Sequence, residues 1–181
     1  GAGGARAGGG GVSGVRRACS GPGRREDPPG KVGFMDGRWC RVPGGGACAE
    51  VTDEVVYMAM ALRNVGSGIA VLDRWSLFPD RVMSTVDHQP PESFRRLTRD
   101  LYVPPSDRGF WQGALRDRSD PLFEPMREVI LARRAFTVDL LYGDYEGGQR
   151  MISRFSIAPR PDDGWLVSGS LNWNLDRPDP R

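Results

Sequence analysis

At 181 residues the chain has room for one domain and a tail, and its net charge of +2 names no polyanionic partner. Apolar residues make up 39% of it but are unevenly spread, since residues 1–30 contain eleven glycines and almost no large apolar side chain. Such a stretch cannot bury enough surface to offset the entropy of ordering it. Residues 1–32 therefore read as a disordered Gly/Arg-rich segment and 33–51 as a loosely structured lead-in. The folded domain is expected over 52–176, with a polar tail at 177–181.

Lys31 is the only lysine among 25 basic residues, and acids are interspersed with the arginines as on a mixed, solvated surface. Cys19, Cys40 and Cys48 all precede the expected core, which excludes an immunoglobulin-type disulfide between sheets. Cys40 and Cys48 flank Pro43-Gly44-Gly45-Gly46, and their spacing permits a bridge across that turn without requiring one. The longest apolar run, Val55 to Leu62, is eight residues, against about 20 needed to cross a bilayer. The chain opens on Gly1, as a piece of a longer protein would, so cytoplasmic and membrane-tethered locations both stay open.

In chain order, Val55–Leu62 is apolar at every position, as a strand covered on both faces would be, and stops at the turn Asn64-Val65-Gly66-Ser67-Gly68. Ile69, Val71, Trp75 and Leu77 alternate with polar or small residues, with an interruption at Asp73. His88 to Ser93 is a polar loop. A strand over Leu97–Val103 ends at the turn-forming run Pro104 to Gly109, and Phe110–Leu115 resumes extended structure. Leu122, Met126, Val129 and Ile130 share one helical face, which places the single helix between about Pro125 and Arg133. Val138, Leu140 and Tyr142 form a strand face before the turn Gly143–Gly148. Met151, Phe155 and Ile157 form another, and Trp165, Val167, Gly169, Leu171 and Trp173 a last one. These pieces predict an all-β fold, an antiparallel immunoglobulin-like β-sandwich of about seven strands with one short inserted helix.

Few chemistries fit. A hydrolase triad needs a nucleophile, a base and an orienter, but His88 is the only histidine and no Gly-x-Ser-x-Gly elbow exists. Ser168 lies mid-strand. Cysteine and histidine are too sparse for zinc, and Asp144 and Glu146 in their glycine-rich turn are too few for a calcium cage. No catalytic residue, metal ligand or cofactor is assigned. Trp165 and Trp173 read as core.

Four stretches carry a resemblance: Arg99-Asp100-Leu101-Tyr102-Val103-Pro104-Pro105, Gly109-Phe110-Trp111-Gln112-Gly113-Ala114, Asp139 through Arg150, and Trp173-Asn174-Leu175-Asp176. With the turn Leu62 to Ala70, which resembles the opening of bacterial immunoglobulin-like sandwiches, they are similar to a family of uncharacterised proteins from GC-rich bacteria. That resemblance implies a small β domain, often set after an amino-terminal membrane helix, and no activity.

The expectation is a non-enzymatic binding or interaction module, tethered at the cell envelope in its full-length form, with a protein or small ligand as partner. Its contact surfaces are the loops Asn64–Gly68, Pro104–Gly109 and Gly143–Gly148, with Asn64, Asp107, Asp144 and Glu146 as binding residues. One alternative is a carboxylate- or metal-dependent hydrolase, which needs Asp87, His88, Asp144 or Glu146 to converge. The second is a nucleic-acid binder using Arg63, Arg74, Arg95, Arg96 and Arg99 on one face; the low net charge disfavours it.

Overall fold

The structure, a computed structural model, describes residues 15–17 and 30–178. Its strands are β1 (Val15–Arg17), β2 (Gly30–Gly33), β3 (Trp39–Val42), β4 (Gly46–Val51), β5 (Val56–Asn64), β6 (Ala70–Phe78), β7 (Arg95–Val103), β8 (Arg108–Leu115), β9 (Phe136–Asp144), β10 (Arg150–Pro159) and β11 (Trp165–Asn174). One helix, α1 (Phe123–Leu131), lies between β8 and β9.

All pairings are antiparallel, and the ladders run β7-β6-β9-β10-β11-β4-β5-β8, with β1 joining β5 beyond the end of β4. The sheet is continuous and curls until its end strands meet through the turn Pro104–Asp107. There the approach is close: a Cβ on Gly109 would lie 2.7 Å from Val103 Cγ2, so a larger residue would push the two strands apart. The architecture is a nearly closed eight-stranded barrel. The all-β, antiparallel expectation holds, but the seven-stranded immunoglobulin-like sandwich does not describe it, because a sandwich has two sheets with separate edges. Here β4 bridges what would be the gap, with Ala47 opposite Trp165 on one side and Met60 on the other.

That stave lies in the segment expected as a lead-in. Gly46-Ala47-Cys48-Ala49 has only small side chains, so its alternation is faint, yet Ala47 and Ala49 are buried in the barrel interior. The expected disorder of residues 1–32 falls mostly outside the described residues; of those described, 15–17 form β1 and 30–32 belong to β2. Residues 179–181 of the expected tail are also outside.

β5 explains its own sequence. Val56, Met58, Met60 and Leu62 enter the interior, while Tyr57, Ala59 and Ala61 pack outward against Val32, Phe34, Cys40 and Val42 of the β2–β3 hairpin. A strand covered on both faces must be apolar at successive positions. Cys40 and Cys48 form a disulfide, their Cα atoms 6.3 Å apart, which ties this hairpin to β4. Replacing both by serine is expected to lower stability by about 2–3 kcal/mol, the loop-closure value for so short a loop. Urea unfolding with unchanged m would record it.

The helix plugs one end of the barrel. Phe123, Met126, Val129 and Ile130 are buried with Phe136 and Trp165. Three of the four residues on the expected face are therefore in the core, and Phe123 takes the place of Leu122, which is only partly buried.

Two β-bulges re-phase the alternation. At Asp73 the pairing of β6 with β9 slips by one residue, so Ala70 and Leu72 face inward before the bulge and Trp75 and Leu77 after it, rather than Ile69 and Val71. In β11 Ser170 is the extra residue, since Arg154 pairs with Leu171 but Phe155 with Gly169. Trp165 and Val167, before the bulge, face the interior. Trp173 does not share their face; it lies on the outer wall with Phe94, Leu141 and Ile152.

Candidate binding cleft at the barrel seam

Between β7 and β8 the barrel stays open. β7 pairs only with β6, and β8 only with β5, so among the described residues each presents an unpaired main-chain edge to the other. The cause is visible in the register. Leu72 pairs with Leu101 and Arg74 with Arg96, so the four residues Leu97–Asp100 stand opposite Asp73 alone. A bulge of that size cannot offer the straight edge that a ladder needs.

The seam forms a cleft of about 550 Å³. Trp75, Leu97 and Gly113 line its depth, Arg96 and Thr98 one lip, and Gln112, Ala114 and Arg116 the other. Phe34, Met35 and Asp36, at the tip of the β2–β3 hairpin, make the end wall. A smaller pocket of about 70 Å³ continues toward the turn between Leu97, Arg99, Leu101, Phe110, Trp111 and Gln112. Trp75 and Trp111 meet edge to face beneath the seam, ring centroids 5.4 Å apart. A Cβ on Gly113 would sit 2.8 Å from the Trp111 ring and 3.2 Å from that of Trp75, so glycine there lets both indoles lie against the strand.

Two polar atoms here lack partners. Trp111 Nε1 and Gln112 Oε1 are buried and make no hydrogen bond within the described protein. Leaving such a group unpaired costs about 1–3 kcal/mol, so native proteins rarely retain one without a reason.

The end wall is held firmly. Asp36 accepts a hydrogen bond from the Tyr57 hydroxyl at 2.6 Å and pairs with Arg116, whose guanidinium lies over the Tyr57 ring. The Tyr57 hydroxyl and then Arg116 hold the Asp36 carboxyl well below the usual carboxylate range, and Asp36 in turn pushes the Tyr57 phenol up. Arg95 stacks over Trp75 and forks onto Asp120, with Nη2 to Oδ1 at 2.9 Å. The Arg95 hydrogen bond, with the Leu122 amide, lowers the Asp120 carboxyl against some burial. A carboxyl lowered by folding adds stability above its ordinary value of 3.8, and that addition disappears as the pH falls through the lower folded value. Asp120→Asn is therefore expected to be less stable than wild type at neutral pH, with the gap narrowing in acid; urea titrations across that range would show it.

The residues expected to bind are elsewhere. The turns after β5, β7 and β9 emerge at one end of the barrel, because Ala70 lies opposite both Val103 and Asp144. Asn64 is fully buried there as a clamp: its Nδ2 donates to Gly68 O at 2.7 Å and Val103 O at 2.8 Å, and its Oδ1 accepts from the Gly66 amide. It offers no surface to a ligand. Asp107 accepts from the Arg108 amide and Asp144 from the Gly148 amide, each closing its own turn, and Glu146 is exposed.

Asp87 and His88 lie on the outer wall, with His88 edge-on to Trp173 at 5.2 Å and its Nδ1 2.7 Å from Gln89 O. Asp144 instead lines an outer groove of about 510 Å³ with Asp73, Arg74, Glu92, Asp100 and Arg150. The groove's lining includes neither Asp87 nor His88. Burial pushes the Asp73 carboxyl up, and the Asp100 charge adds to this against Arg74. Cys40, Cys48 and Glu50 are the one group of three metal-type ligands among the described residues, and their two sulfurs are bonded to each other. Of the arginines considered for nucleic acid, Arg74 lies opposite Arg96 across β6 and β7, whereas Arg63 is on β5 opposite Arg108.

The fold and cleft define a class of protein: a small antiparallel barrel with one plugged end and one unzipped seam. No protein-family model matches the chain, and neither a search of curated proteins nor one of solved structures finds a significant match.

Proposed function

We propose that the chain is a non-enzymatic binding module that takes its ligand at the seam between β7 and β8. The observation that carries this reading is the pair of buried, unpartnered polar atoms, Trp111 Nε1 and Gln112 Oε1, set beside apolar surface in a concave site. Ligand sites commonly combine an apolar lining with a few convergent polar groups. The donor and the acceptor give a ligand orientation, and the two indoles give it contact area.

The test is a two-dimensional NMR screen of the full chain against a library of neutral and anionic aromatic fragments and short peptides. Compounds that shift the Trp111 and Trp75 indole N–H signals together are the expected result. Shifts confined to the rim turns, or none anywhere, would overturn the reading.

The outer groove supports a second reading, a hydrolase working through carboxylates. Its specific support is Asp73, whose carboxyl burial pushes up, in a groove that Asp100 and Asp144 also line. Turnover of chromogenic ester, glycoside or phosphate substrates that Asp73→Asn abolishes would favour it over the first.

A further inference from the structure

The binding reading leaves the ligand open; the strand edges narrow it. A sheet edge exposes main-chain donors and acceptors that another extended chain can pair with, and native proteins guard such edges with charge, proline or bulges. β7 is guarded in this way by Arg96 and Arg99 and by its bulge at Leu97–Asp100. β8 is not. Between Arg108 and Arg116 it reads Gly-Phe-Trp-Gln-Gly-Ala-Leu, with no charge and no proline, and among the described residues this stretch pairs with β5 on one side only. The hairpin β2–β3 covers its outer face, where Phe110 and Ala114 pack, and leaves the edge alone.

We propose that an extended, acidic peptide segment of a partner protein adds as a strand to the free edge of β8 and closes the seam; this rests on the reading of the cleft as a binding site. Strand addition draws affinity from main-chain hydrogen bonds and selectivity from alternate side chains. Inward side chains of the added strand meet Leu97, Trp75 and Trp111 with its Nε1, and an outward one lies on the face of β8 that carries Gln112 and its Oε1. The charge preference comes from the lip. Arg116 is neutralised by Asp36, whereas Arg96 and Arg99 have no carboxylate in ion-pairing distance among the described residues. Asp73, across the bulge, feels the Arg96 charge but is paired with Arg74, so Asp100 alone is set against Arg96 and Arg99 and the lip is net positive.

The experiment pans the full chain with a phage library of random dodecapeptides and resynthesises the enriched sequences with a fluorescent label. The expected binders are free of proline, carry Asp or Glu, and shift the Trp111 indole signal. Methylating alternate backbone nitrogens on one edge of the peptide should abolish binding, and Arg96→Glu with Arg99→Glu should weaken it about tenfold or more while leaving the thermal transition unchanged. Peptides that bind at the seam equally well after methylation of either edge would overturn strand addition, and basic binders would overturn the charge assignment. A chain that dimerises in sedimentation and loses its dimer on β8 edge substitution would show that a second copy fills the seam instead, which also overturns it. If no peptide is enriched while aromatic fragments still shift Trp111, strand addition fails and the binding cleft stands; if neither binds, both fail.

Discussion

Arg154→Ala is expected to lose about 3–5 kcal/mol of stability, the usual result of leaving one member of a buried ion pair without the other. Arg154 and Asp139 are 1% and 0% exposed, and the guanidinium meets the carboxylate in a fork, Nε to Oδ1 and Nη2 to Oδ2 both at 2.8 Å. The same group donates to Val86 O at 2.6 Å and Asp87 O at 3.3 Å, and lies 4.8 Å from the Trp173 ring. It therefore pins the loop after β6 to the outer wall, with help from Thr137, whose hydroxyl donates to Asp80 O and accepts from the Val82 amide. Faster hydrogen exchange at the amides of 80–89 should accompany the loss.

The pH dependence has a definite sign. Burial pushes the Asp139 carboxyl up, and the Arg154 hydrogen bonds pull against it. With Arg154 gone the upward push of burial is opposed only by the His88 charge, the smallest of the contributions, so the folded variant binds its proton more tightly than the unfolded chain does. Its stability is then greatest in acid and falls as the pH rises from the ordinary value of 3.8 toward the raised one. The deficit relative to wild type should grow from acid to neutral pH. Arg154→Met with Asp139→Leu removes both charges and should cost far less than the single change. Equal losses in the single and double variants would mean that lost packing, not a stranded charge, is responsible.

Trp111→Ala should cost about 3–5 kcal/mol as well, from the contact area and cavity of a large aromatic in a close-packed core. Trp111 is fully buried against Trp75 and lies over Gly113. Trp111→Phe separates packing from polarity. It leaves a smaller void and deletes the unpartnered N–H, whose burial costs about 1–3 kcal/mol. The two effects oppose each other, so the phenylalanine variant should lose less than about 2 kcal/mol. A loss as large as that of the alanine variant would show that the indole N–H is hydrogen-bonded in solution, and would remove the main support for the seam as a binding site.

Strand positions were legible where large apolar side chains recur at spacing two. Val138, Leu140 and Tyr142 all face the interior, as do Phe155 and Ile157, and the double-sided run of β5 is matched by its two apolar neighbours. The helix was legible from Met126, Val129 and Ile130. Faces failed at bulges. One residue inserted at Asp73 or Ser170 turns the rest of the strand over, and nothing in the alternation of Gly169, Leu171 and Trp173 announces it. β4 was missed because alanine and cysteine pattern weakly, and the barrel was missed with it.

The cleft lay further out of reach. Trp111 and Gln112 read as members of an ordinary strand, and their significance comes from the lack, among the described residues, of a paired neighbour along one edge. Local pattern alone determined that this chain is antiparallel β around a single apolar interior, because burial alternates along each segment whatever lies beside it. The order of the ladders, their near-closure through β4 and the seam opposite the β7 bulge were decided only in three dimensions. Each depends on hydrogen bonds between residues dozens of positions apart, and a main-chain donor is the same group in every residue but proline.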